Sequence, residues 1–487
     1  MVFGRRTVGS DRLEAALETH IQNELEEEGP VFLAVVAGLR ELDRVARRLG
    51  FFSPTESYTR HVPWWPIIAV LGTYSAGKST FLNDYLDYPL QLTGNQAVDD
   101  KFTVVCYGQD AQVRALPALA LDADPRFPFY KISRELEASA PGEGERMDAY
   151  LQLKTCPSQV VRGRIFIDSP GFDADEQRTA VLRLTDHIVA LSDLVLVFFD
   201  ARHPEAGSMR DTLEHLVEKT IRRTDSSKFL YVLNHLDATA QDDNAEQVVA
   251  AWQRGLAQKG LTAGRFYHIY SRSAAAPIAD PQVRARYEAL REHDYGELQA
   301  RIQQVRTAQA YRVVGTLERS ANELERQLVP QLRAMLRGWR AGVVWRDGLL
   351  LGGGLVLLGL LAWFGLGELL LGLGGWSLGV AAVLAGYGHW QVRRRVRERI
   401  IAGLGRDRAD QQVDNLVGAF QRSTCWYRSI FQTEPAAWNA QTRAIVARVR
   451  AEADRCVQQL NDIYTNPSGT AGRHTAPSAA PSEQSGK

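Results

Sequence analysis

The chain has 487 residues, which is more than one ordinary core holds and predicts two or three domains. Its 57 basic and 57 acidic side chains balance, which excludes a global electrostatic field that attracts nucleic acid. The four cysteines form neither a CxxC pair nor a metal-ligand spacing with the ten histidines, so we expect reduced core thiols.

The N-terminal 62 residues are predicted to form two helices. Ser10 is the candidate N-cap of the first helix, Pro30 lies at the start of the second, and Gly50 stops it. Residues 1–12 carry charges with no apolar stretch behind them, unlike a secretory signal peptide. This end of the chain is therefore expected to stay in the cytosol.

The segment from residue 66 to about 275 is predicted to be an α/β domain. Short apolar runs alternate with polar turns and helical segments, which is typical of a mostly parallel sheet flanked by helices. Several predicted strands end in loops rich in Gly, Ser, Asp or Asn, where an open α/β sheet places its ligand. The predicted strands are residues 67–71, 102–107, 164–167, 194–199, 228–233 and 266–270.

A phosphate-binding loop follows the first predicted strand and leads into a helical run. In this context the pattern GxxxxGK[ST] lets backbone amides wrap phosphates, aided by the positive end of the helix. We predict that Lys78 neutralises the β- and γ-phosphates and that the Ser79 hydroxyl ligates Mg²⁺. The predicted nucleotide contacts in this loop are Gly72, Ser75, Ala76, Gly77, Lys78, Ser79 and Thr80.

A second motif, Asp168-Ser169-Pro170-Gly171, follows the predicted strand 164–167. Asp168 is predicted to hold Mg²⁺ through water, and the Gly171 amide to sense the γ-phosphate. The same four residues also form ordinary turns, so the prediction depends on their position behind the phosphate loop.

A third motif, Asn234-His235-Leu236-Asp237, follows the strand 228–233 and resembles the guanine-recognition motif [NT]KxD of GTPases. Asp237 would accept hydrogen bonds from guanine donors that adenine does not offer, and Asn234 is the second predicted nucleotide contact. His235 replaces the usual Lys, and a turn without base contact stays the alternative. Ser271 and Ser273 follow the last strand, where GTPases close the base pocket.

Residues 348–390 contain a single acidic residue, Glu368, and neither Lys nor Arg, a composition that a soluble core rarely shows. We predict a helical hairpin with spans at 349–366 and 370–390 and with Glu368 in the turn. Arginines flank both sides, so the positive-inside rule puts both ends in the cytoplasm. A hairpin buried inside a bundle and a shallow re-entrant wedge are the alternatives.

Together the three motifs resemble those of the dynamin superfamily. The sequence of the phosphate loop is most similar to that of bacterial dynamin-like proteins and of the Eps15-homology-domain ATPases. The resemblance implies GTP and Mg²⁺ as ligands, while the ATP-using relatives keep adenine open. It also implies pairing of G domains across the nucleotide face. The apolar Phe172 cannot orient water, and the resemblance implies catalysis by phosphate-loop side chains, for which Tyr74, Ser75 and Lys78 are the candidates.

The first switch departs from the family pattern. Residues 98–100 lack the Thr that ligates Mg²⁺ in relatives, and Thr93 and Thr103 are the nearby substitutes. The sequence does not choose between them.

We therefore expect an α/β P-loop G domain plus an α-helical stalk with a transmembrane or re-entrant helical hairpin. The expected regions are N-terminal helices packing on the stalk (1–62), the G domain (63–280), stalk helices (281–346), the membrane hairpin (347–392), C-terminal stalk helices (393–465) and a disordered tail (466–487).

The expected function is Mg²⁺-dependent GTP hydrolysis coupled to membrane remodelling, tethering or fusion. The expected partners are GTP, a lipid bilayer and further copies of the chain through G domains and stalk, but no nucleic acid. We expect the termini and the G domain to be cytoplasmic, at a bacterial inner membrane. A nucleotide-gated membrane scaffold without remodelling activity, and an ATP-using enzyme on a membrane anchor, are the alternatives.

Overall fold

The computed structural model of the chain describes residues 7–53, 56–91, 101–110, 113–127, 147–170, 178–204, 225–364, 375–407, 411–432 and 434–465. The chain divides into two compact units, each assembled from separate stretches. A sheet-containing unit comprises residues 11–33, 61–313 and 459–487, and a helical unit comprises residues 1–10, 34–60 and 314–458.

An eight-stranded sheet lies at the centre of the first unit. The strands are β1 (Ile67–Gly72), β2 (Phe102–Tyr107), β3 (Arg114–Pro117), β4 (Leu151–Cys156), β5 (Ile165–Asp168), β6 (Leu194–Asp200), β7 (Phe229–Asn234) and β8 (Arg265–His268). Their order is β3-β4-β2-β5-β1-β6-β7-β8. Neighbours from β5 to β8 are parallel, as are β2 and β4, whereas β2 with β5 and β3 with β4 are antiparallel.

The helices, in chain order, account for most of the remaining described residues. They are α1 (Thr7–Glu24), α2 (Gly29–Leu49), α3 (Lys78–Leu86), α4 (Leu119–Ala123), α5 (Met147–Tyr150), α6 (Arg178–Leu191), α7 (Ala245–Gln258), α8 (Pro281–Glu323), α9 (Val329–Trp363), α10 (Gly375–Asp407), α11 (Gln411–Ser423) and α12 (Ala440–Thr465). A π-helical turn, Leu324–Leu328, joins α8 to α9.

The central strands are apolar along their whole length because the sheet is covered on both faces. Every residue of β1, β6 and β7 is buried, as expected of parallel strands enclosed by helices. Phe81 of α3 packs on Phe198 of β6 with ring centroids 5.0 Å apart. This packing holds the helix that follows the phosphate loop firmly on the sheet.

All six predicted strands are confirmed, with ends displaced by at most two residues. The mostly parallel sheet is also confirmed, but β3 and β4 were not predicted. Pro281 begins α8 as predicted, and the Asp280 carboxylate accepts the Gln282 amide over 2.7 Å at its N-terminus. Ser10 as an N-cap is wrong, because α1 already includes Thr7. Gly50, with φ of 87°, ends α2 as predicted.

A buried ion pair attaches the end of α1 to the sheet. Arg126 donates to Glu24 over 2.9 Å and to Asp124 over 2.6 Å. The other Glu24 oxygen accepts the indole N–H of Trp65 over 3.0 Å. Both partners of the Glu24–Arg126 pair are almost fully buried, so the Glu24 charge depends on Arg126, while Arg126 is neutralised by two carboxylates.

In the helical unit, α9 and α10 run antiparallel. Trp339 donates to the Arg393 carbonyl over 3.3 Å, and further along the pair His389 Nδ1 lies 2.7 Å from an Asp347 carboxylate oxygen. Beyond Asp347 the described part of α9 is apolar and exposed, and Trp363 is 86% exposed. The facing part of α10 is similar, with Trp376 85% exposed.

Among the described residues, one helix is long and apolar enough to cross a membrane, the continuous stretch Pro281–Leu360. Only 6% of its most apolar 18-residue window is buried. This exposure contradicts the alternative of a hairpin hidden inside a helical bundle. Glu368 and the rest of residues 365–374 lie outside the described residues.

Candidate functional site

The phosphate loop leaves β1 and enters α3 through three residues with positive φ. Gly72 has φ of 146°, Ser75 of 55° and Gly77 of 76°. A Cβ on Gly72 would lie 2.2 Å from the Phe198 carbonyl oxygen, and one on Gly77 would lie 2.3 Å from the Asn234 amide nitrogen. Both glycines are therefore required by the close approach of backbone and side chains as well as by conformation.

Lys78 is buried beneath this loop. Its ammonium donates to the Thr73 carbonyl over 2.8 Å and to the Gly72 carbonyl over 3.3 Å. Burial lowers the pKa of Lys78 to about 8, against an opposing effect of the nearby Asp168 charge. A phosphate anion at the loop would stabilise the charged form of this lysine and restore its ordinary pKa.

Ser79 and Asp168 are brought into direct contact, although 89 residues separate them in sequence. The Ser79 hydroxyl donates to an Asp168 carboxylate oxygen over 2.8 Å. Asp168 ends β5, which pairs with β1, and Ser79 lies in the first turn of the helix that follows β1. Adjacent parallel strands thus deliver the two predicted metal-binding side chains to one point.

Two residues that were not predicted complete this cluster. The Gln91 amide donates to the same Asp168 oxygen over 2.9 Å, and the Lys154 ammonium donates to the Gln91 side-chain oxygen. Both residues are buried. One feature of the sequence could have revealed this contact. Lys154 lies within the strand Leu151–Cys156, and a lysine whose ammonium is buried needs a hydrogen-bond acceptor nearby.

The donor set fits Mg²⁺. A serine hydroxyl and a carboxylate are the hard oxygen ligands that this ion prefers, and it completes its shell with water and substrate phosphates. Across the described residues, no group of three or more His, Cys, Asp or Glu could form a separate metal cage. This loop therefore offers Mg²⁺ a site with few protein ligands.

Asn234 and His235 contact the phosphate loop directly. Asn234 donates to the Ala76 carbonyl over 2.9 Å, and His235 Nε2 lies 3.1 Å from the Ser75 carbonyl oxygen. His235 has a left-handed backbone conformation, with a φ of 62°. The imidazole thus makes a polar contact to the loop at the position where the motif usually has a lysine.

Asp237 lies in the short 3₁₀ helix Leu236–Thr239 and is mostly buried. One of its carboxylate oxygens accepts the Ala276 amide over 2.8 Å, which ties the motif to the segment after β8. Ser273 donates to Asp84 of α3 over 2.7 Å, and Ser271 also donates to Asp84. The two serines therefore hold this segment against α3.

Arg202 is a further residue at the loop that the sequence reasoning missed. Its guanidinium donates to the Ser75 carbonyl over 3.1 Å and is held by Asp200 at the end of β6 over 2.7 Å. The sequence feature that could have indicated it is Asp200, an acidic residue at the carboxyl end of a central strand, where α/β sheets bind ligands. Ser75 is thus contacted from two sides, by Arg202 and by His235.

The remaining predicted residues divide into two groups. Tyr74 is half-buried and Ser75 exposed on the loop, while Thr80 follows Ser79 in α3. Thr103 is buried on β2 beside Asp168 in the sheet register, and its hydroxyl accepts the Gln152 amide over 2.8 Å. Of the residues considered for this site, those that lie outside the described part of the chain are Gly171, Phe172, Thr93 and 98–100.

Comparison with known proteins gives a match to the Dynamin family over residues 68–236. Human EH domain-containing protein 1 is 29% identical over 197 residues, covering 36% of this chain and 33% of that protein. EH domain-containing protein 1 of Arabidopsis thaliana is 26% identical over 179 residues, covering 35% and 30%. The chain thus spans about a third of the length of these curated relatives.

A solved structure described as an oligomerised bacterial dynamin pair aligns with 91% of this chain and 80% of its own. The sequence identity is 13% and the TM-score 0.35, values too low to support an inference from that alignment. The family match includes the phosphate loop and extends to Leu236, one residue before Asp237.

Proposed function

We propose that this chain, which belongs to the dynamin superfamily through residues 68–236, is a membrane-anchored enzyme that hydrolyses GTP with Mg²⁺. In this proposal, pairing of its G domains drives remodelling, tethering or fusion of the membrane. The observation that carries it is the contact of Ser79 with Asp168 at the phosphate loop, with Lys78 buried beside them. Superfamily members are nucleotide hydrolases, so this site is the natural place for the reaction.

Lys78 has the role of a fixed positive charge for the β- and γ-phosphates. It already donates to two loop carbonyls, so it needs little reorganisation when phosphate arrives. Ser79 and Asp168 would hold Mg²⁺, which neutralises charge that develops on the phosphates when the ion is bound. Gln91 helps to fix the Asp168 carboxylate by donating to the same oxygen as Ser79.

The proposed base is guanine. A largely buried Asp237 supports this choice, because a buried carboxylate left facing adenine would lose hydrogen bonds that guanine supplies. Asn234 and His235 support it indirectly, since they fix the start of the motif against the phosphate loop. Adenine would have to bind without donating to this carboxylate.

Catalysis is proposed to need a second copy of the chain. Tyr74 and Ser75 lie on the outer part of the phosphate loop, and Ser75 is exposed, so a paired G domain could reach both. We assign them to the reaction together with Lys78. Hydrolysis per molecule is then expected to rise with protein concentration and with clustering on liposomes.

Membrane anchoring is proposed from the exposed apolar helices of the helical unit. Leucines contribute about −0.3 to −0.6 kcal/mol each to insertion at the centre of a span, and the described part of the segment carries many of them in exposed positions. Water is a poor solvent for such a surface. Attachment of the G domain to lipid would link the nucleotide cycle to the bilayer.

The test is a competition between GTP and ATP for purified full-length protein, with and without liposomes and with Mg²⁺ or EDTA. We expect Mg²⁺-dependent binding of GTP in preference to ATP, and faster hydrolysis on liposomes. Lys78→Ala serves as the binding-deficient control. Preference for ATP would overturn the guanine assignment, and GTP-dependent binding of another protein without any change in liposome shape would favour a scaffold.

A further inference from the structure

Three aromatic side chains lie exposed on the segment after α11, residues 424–432, which we call the aromatic loop. Trp426 is 77% exposed, Tyr427 70% and Phe431 66%. The rings of Trp426 and Tyr427 contact each other edge to face, with centroids 6.0 Å apart. Exposed aromatic clusters of this kind mark interaction surfaces, and neither the nucleotide site nor the apolar hairpin accounts for this one.

A single arginine of α10 fixes the position of the aromatic loop. The Arg393 guanidinium donates to the carbonyls of Cys425, Trp426 and Arg428 over 3.0, 3.2 and 2.8 Å. It also lies over the Trp339 ring of α9, 5.2 Å from the ring centroid. The loop backbone is therefore attached to both helices that carry the apolar segment.

The attachment point lies just outside the apolar segment. Asp347 and His389 form the last polar pair before the apolar parts of α9 and α10. Arg393 follows His389 by four residues, which is about 6 Å along a helix. The headgroup layer on each side of a ~30 Å hydrocarbon core is about 5–8 Å thick. With the apolar segment inserted, the loop backbone lies at headgroup depth.

The side chains of the loop suit that depth. Trp and Tyr favour the boundary between hydrocarbon and water, because they combine an apolar ring with a polar group. Phe431 stacks with the Arg340 guanidinium, 5.6 Å from the ring centroid. The parts of α9 and α10 next to the loop expose basic side chains that attract an anionic surface; they are Arg337, Arg340, Arg394 and Arg395.

We propose that the aromatic loop is a second lipid-binding element, which lies in the headgroup layer of an anionic bilayer beside the hairpin. The proposal rests on the proposed membrane anchoring, but it concerns residues outside the apolar segment. The position of the loop one helical turn from that segment, together with the surrounding arginines, favours lipid over a protein partner. By occupying area in one leaflet only, the loop adds to the asymmetry that bends a bilayer.

The experiment uses full-length protein in liposomes that contain anionic lipid. A fluorophore sensitive to its environment is attached to one cysteine at a time, in a Cys425→Ser background, since Cys106, Cys156 and Cys456 are buried. The label positions are Ser429→Cys in the loop, Leu384→Cys in the apolar part of α10, and Ala451→Cys on α12 as the control. Quenchers are nitroxides attached to the lipid headgroup or to the middle of the acyl chain.

We expect the headgroup nitroxide to quench the Ser429→Cys label and the acyl-chain nitroxide to quench the Leu384→Cys label, whereas the Ala451→Cys label is quenched by neither. Replacing Trp426 and Tyr427 by Ser should abolish quenching of the loop label and leave that of the Leu384→Cys label unchanged. If loop quenching survives these replacements, the loop lies near lipid without binding it and the proposal is overturned.

The remaining outcomes separate the two proposals. A loop label unquenched beside a quenched Leu384→Cys label overturns the loop assignment and leaves the anchor intact. If neither label is quenched, both the anchor and the loop assignment are wrong. A quenched loop label beside an unquenched Leu384→Cys label supports the loop and overturns insertion of the hairpin.

Discussion

The Ser79 hydroxyl donates to the Asp168 carboxylate over 2.8 Å, so the phosphate loop and the end of β5 share one hydrogen bond at the proposed metal site. Both side chains offer oxygen ligands suited to Mg²⁺, and their hydrogen bond forms without a bound nucleotide.

Asp168→Asn is expected to weaken Mg²⁺-dependent binding of a fluorescent GTP analogue by about 10- to 100-fold, the usual cost of removing a group that orients a metal site. The amide keeps the size of the side chain but removes the charge. Affinity measured in EDTA should change much less. Asp242→Asn, at an exposed carboxylate, is the matched control and should bind normally. Equal losses with Mg²⁺ and with EDTA would contradict a role at the metal.

Nucleotide affinity is expected to depend on pH through Lys78. Its pKa is about 8 in the nucleotide-free protein, and a neighbouring phosphate raises it. The affinity should therefore be constant below pH 8 and fall as the pH rises above 8, by up to about tenfold per pH unit, because binding then requires uptake of a proton. Titrations between pH 7 and 9.5 measure this, and Lys78→Met should bind weakly without the slope.

The lowered pKa of Lys78 also makes folding stability depend on pH, and stability rises with pH over the range in which nucleotide affinity falls. Because burial lowers the pKa of Lys78 below its unfolded value of 10.5, the unfolded state binds more protons between about pH 8 and 10.5. The destabilising effect of this buried charge is thus complete below pH 8 and disappears toward pH 10.5. Denaturant unfolding should therefore show wild-type stability rising from pH 8 toward pH 10.5 relative to Lys78→Met, and the same pH dependence of unfolding in both proteins would refute the assignment.

Asp237→Ala is expected to abolish the preference for GTP over ATP. Each lost hydrogen bond to a charged acceptor costs about 1.5–3 kcal/mol, so GTP affinity should fall by roughly 10- to 100-fold while ATP affinity changes little. Competition binding with both nucleotides measures the ratio. His235→Lys, which can keep a polar contact to the Ser75 carbonyl, should bind GTP within about threefold of wild type. An unchanged GTP preference in Asp237→Ala would show that the base lies elsewhere.

Gly77→Ala is expected to destabilise the nucleotide site. The new Cβ would meet the Asn234 amide at 2.3 Å in a backbone conformation with φ of 76°, at a cost of about 1–3 kcal/mol. Gly315→Ala is the matched control, because nothing lies within 4 Å of a Cβ at that helical position. It should stabilise the protein by about 0.5–1 kcal/mol. Thermal unfolding and GTP binding measure both changes.

Glu24→Gln is expected to destabilise the sheet-containing unit by about 1.5–3 kcal/mol, because the buried Arg126 loses a charged hydrogen-bond partner and keeps Asp124 as its carboxylate. Glu26→Gln is a matched control two residues away. Its carboxylate pairs with Arg162 at the surface, so its loss should change stability by less than about 1 kcal/mol. Denaturant unfolding followed by tryptophan fluorescence compares the two. Similar midpoints for both variants would contradict a structural role of the buried pair.

Much of the fold could be predicted because its signals are local. The six predicted strands are apolar runs bounded by turn residues, and the phosphate loop has a sequence pattern tied to its backbone conformation. Two neighbouring strands at one side of the sheet escaped prediction for physical reasons: β3 is short and exposed, and β4 has a buried lysine in its second half. The antiparallel pairing of β2 with β5 depends on contacts distant in sequence.

In the candidate site, too, the residues with a local sequence pattern could be predicted and those positioned by distant contacts could not. Lys78, Ser79 and Asp168 belong to motifs that can be recognised from sequence, and their side chains do converge. Gln91 and Arg202 carry no motif, since their roles arise only when β5 places Asp168 next to Gln91 and β6 places Arg202 next to the phosphate loop. The π-helical turn at Leu324–Leu328 was likewise invisible, because its residues are ordinary helix formers.

The polar pair Asp347–His389 also sets a length. These residues lie opposite each other on two antiparallel helices and mark a common starting level, beyond which α9 continues over residues 348–363 and α10 covers residues 375–388. These two stretches have helical lengths of about 24 and 21 Å, compared with a hydrocarbon layer of about 30 Å. Glu368 is equidistant in sequence from both partners. With the segment inserted as proposed, the described helices alone would therefore cross most of the hydrocarbon layer.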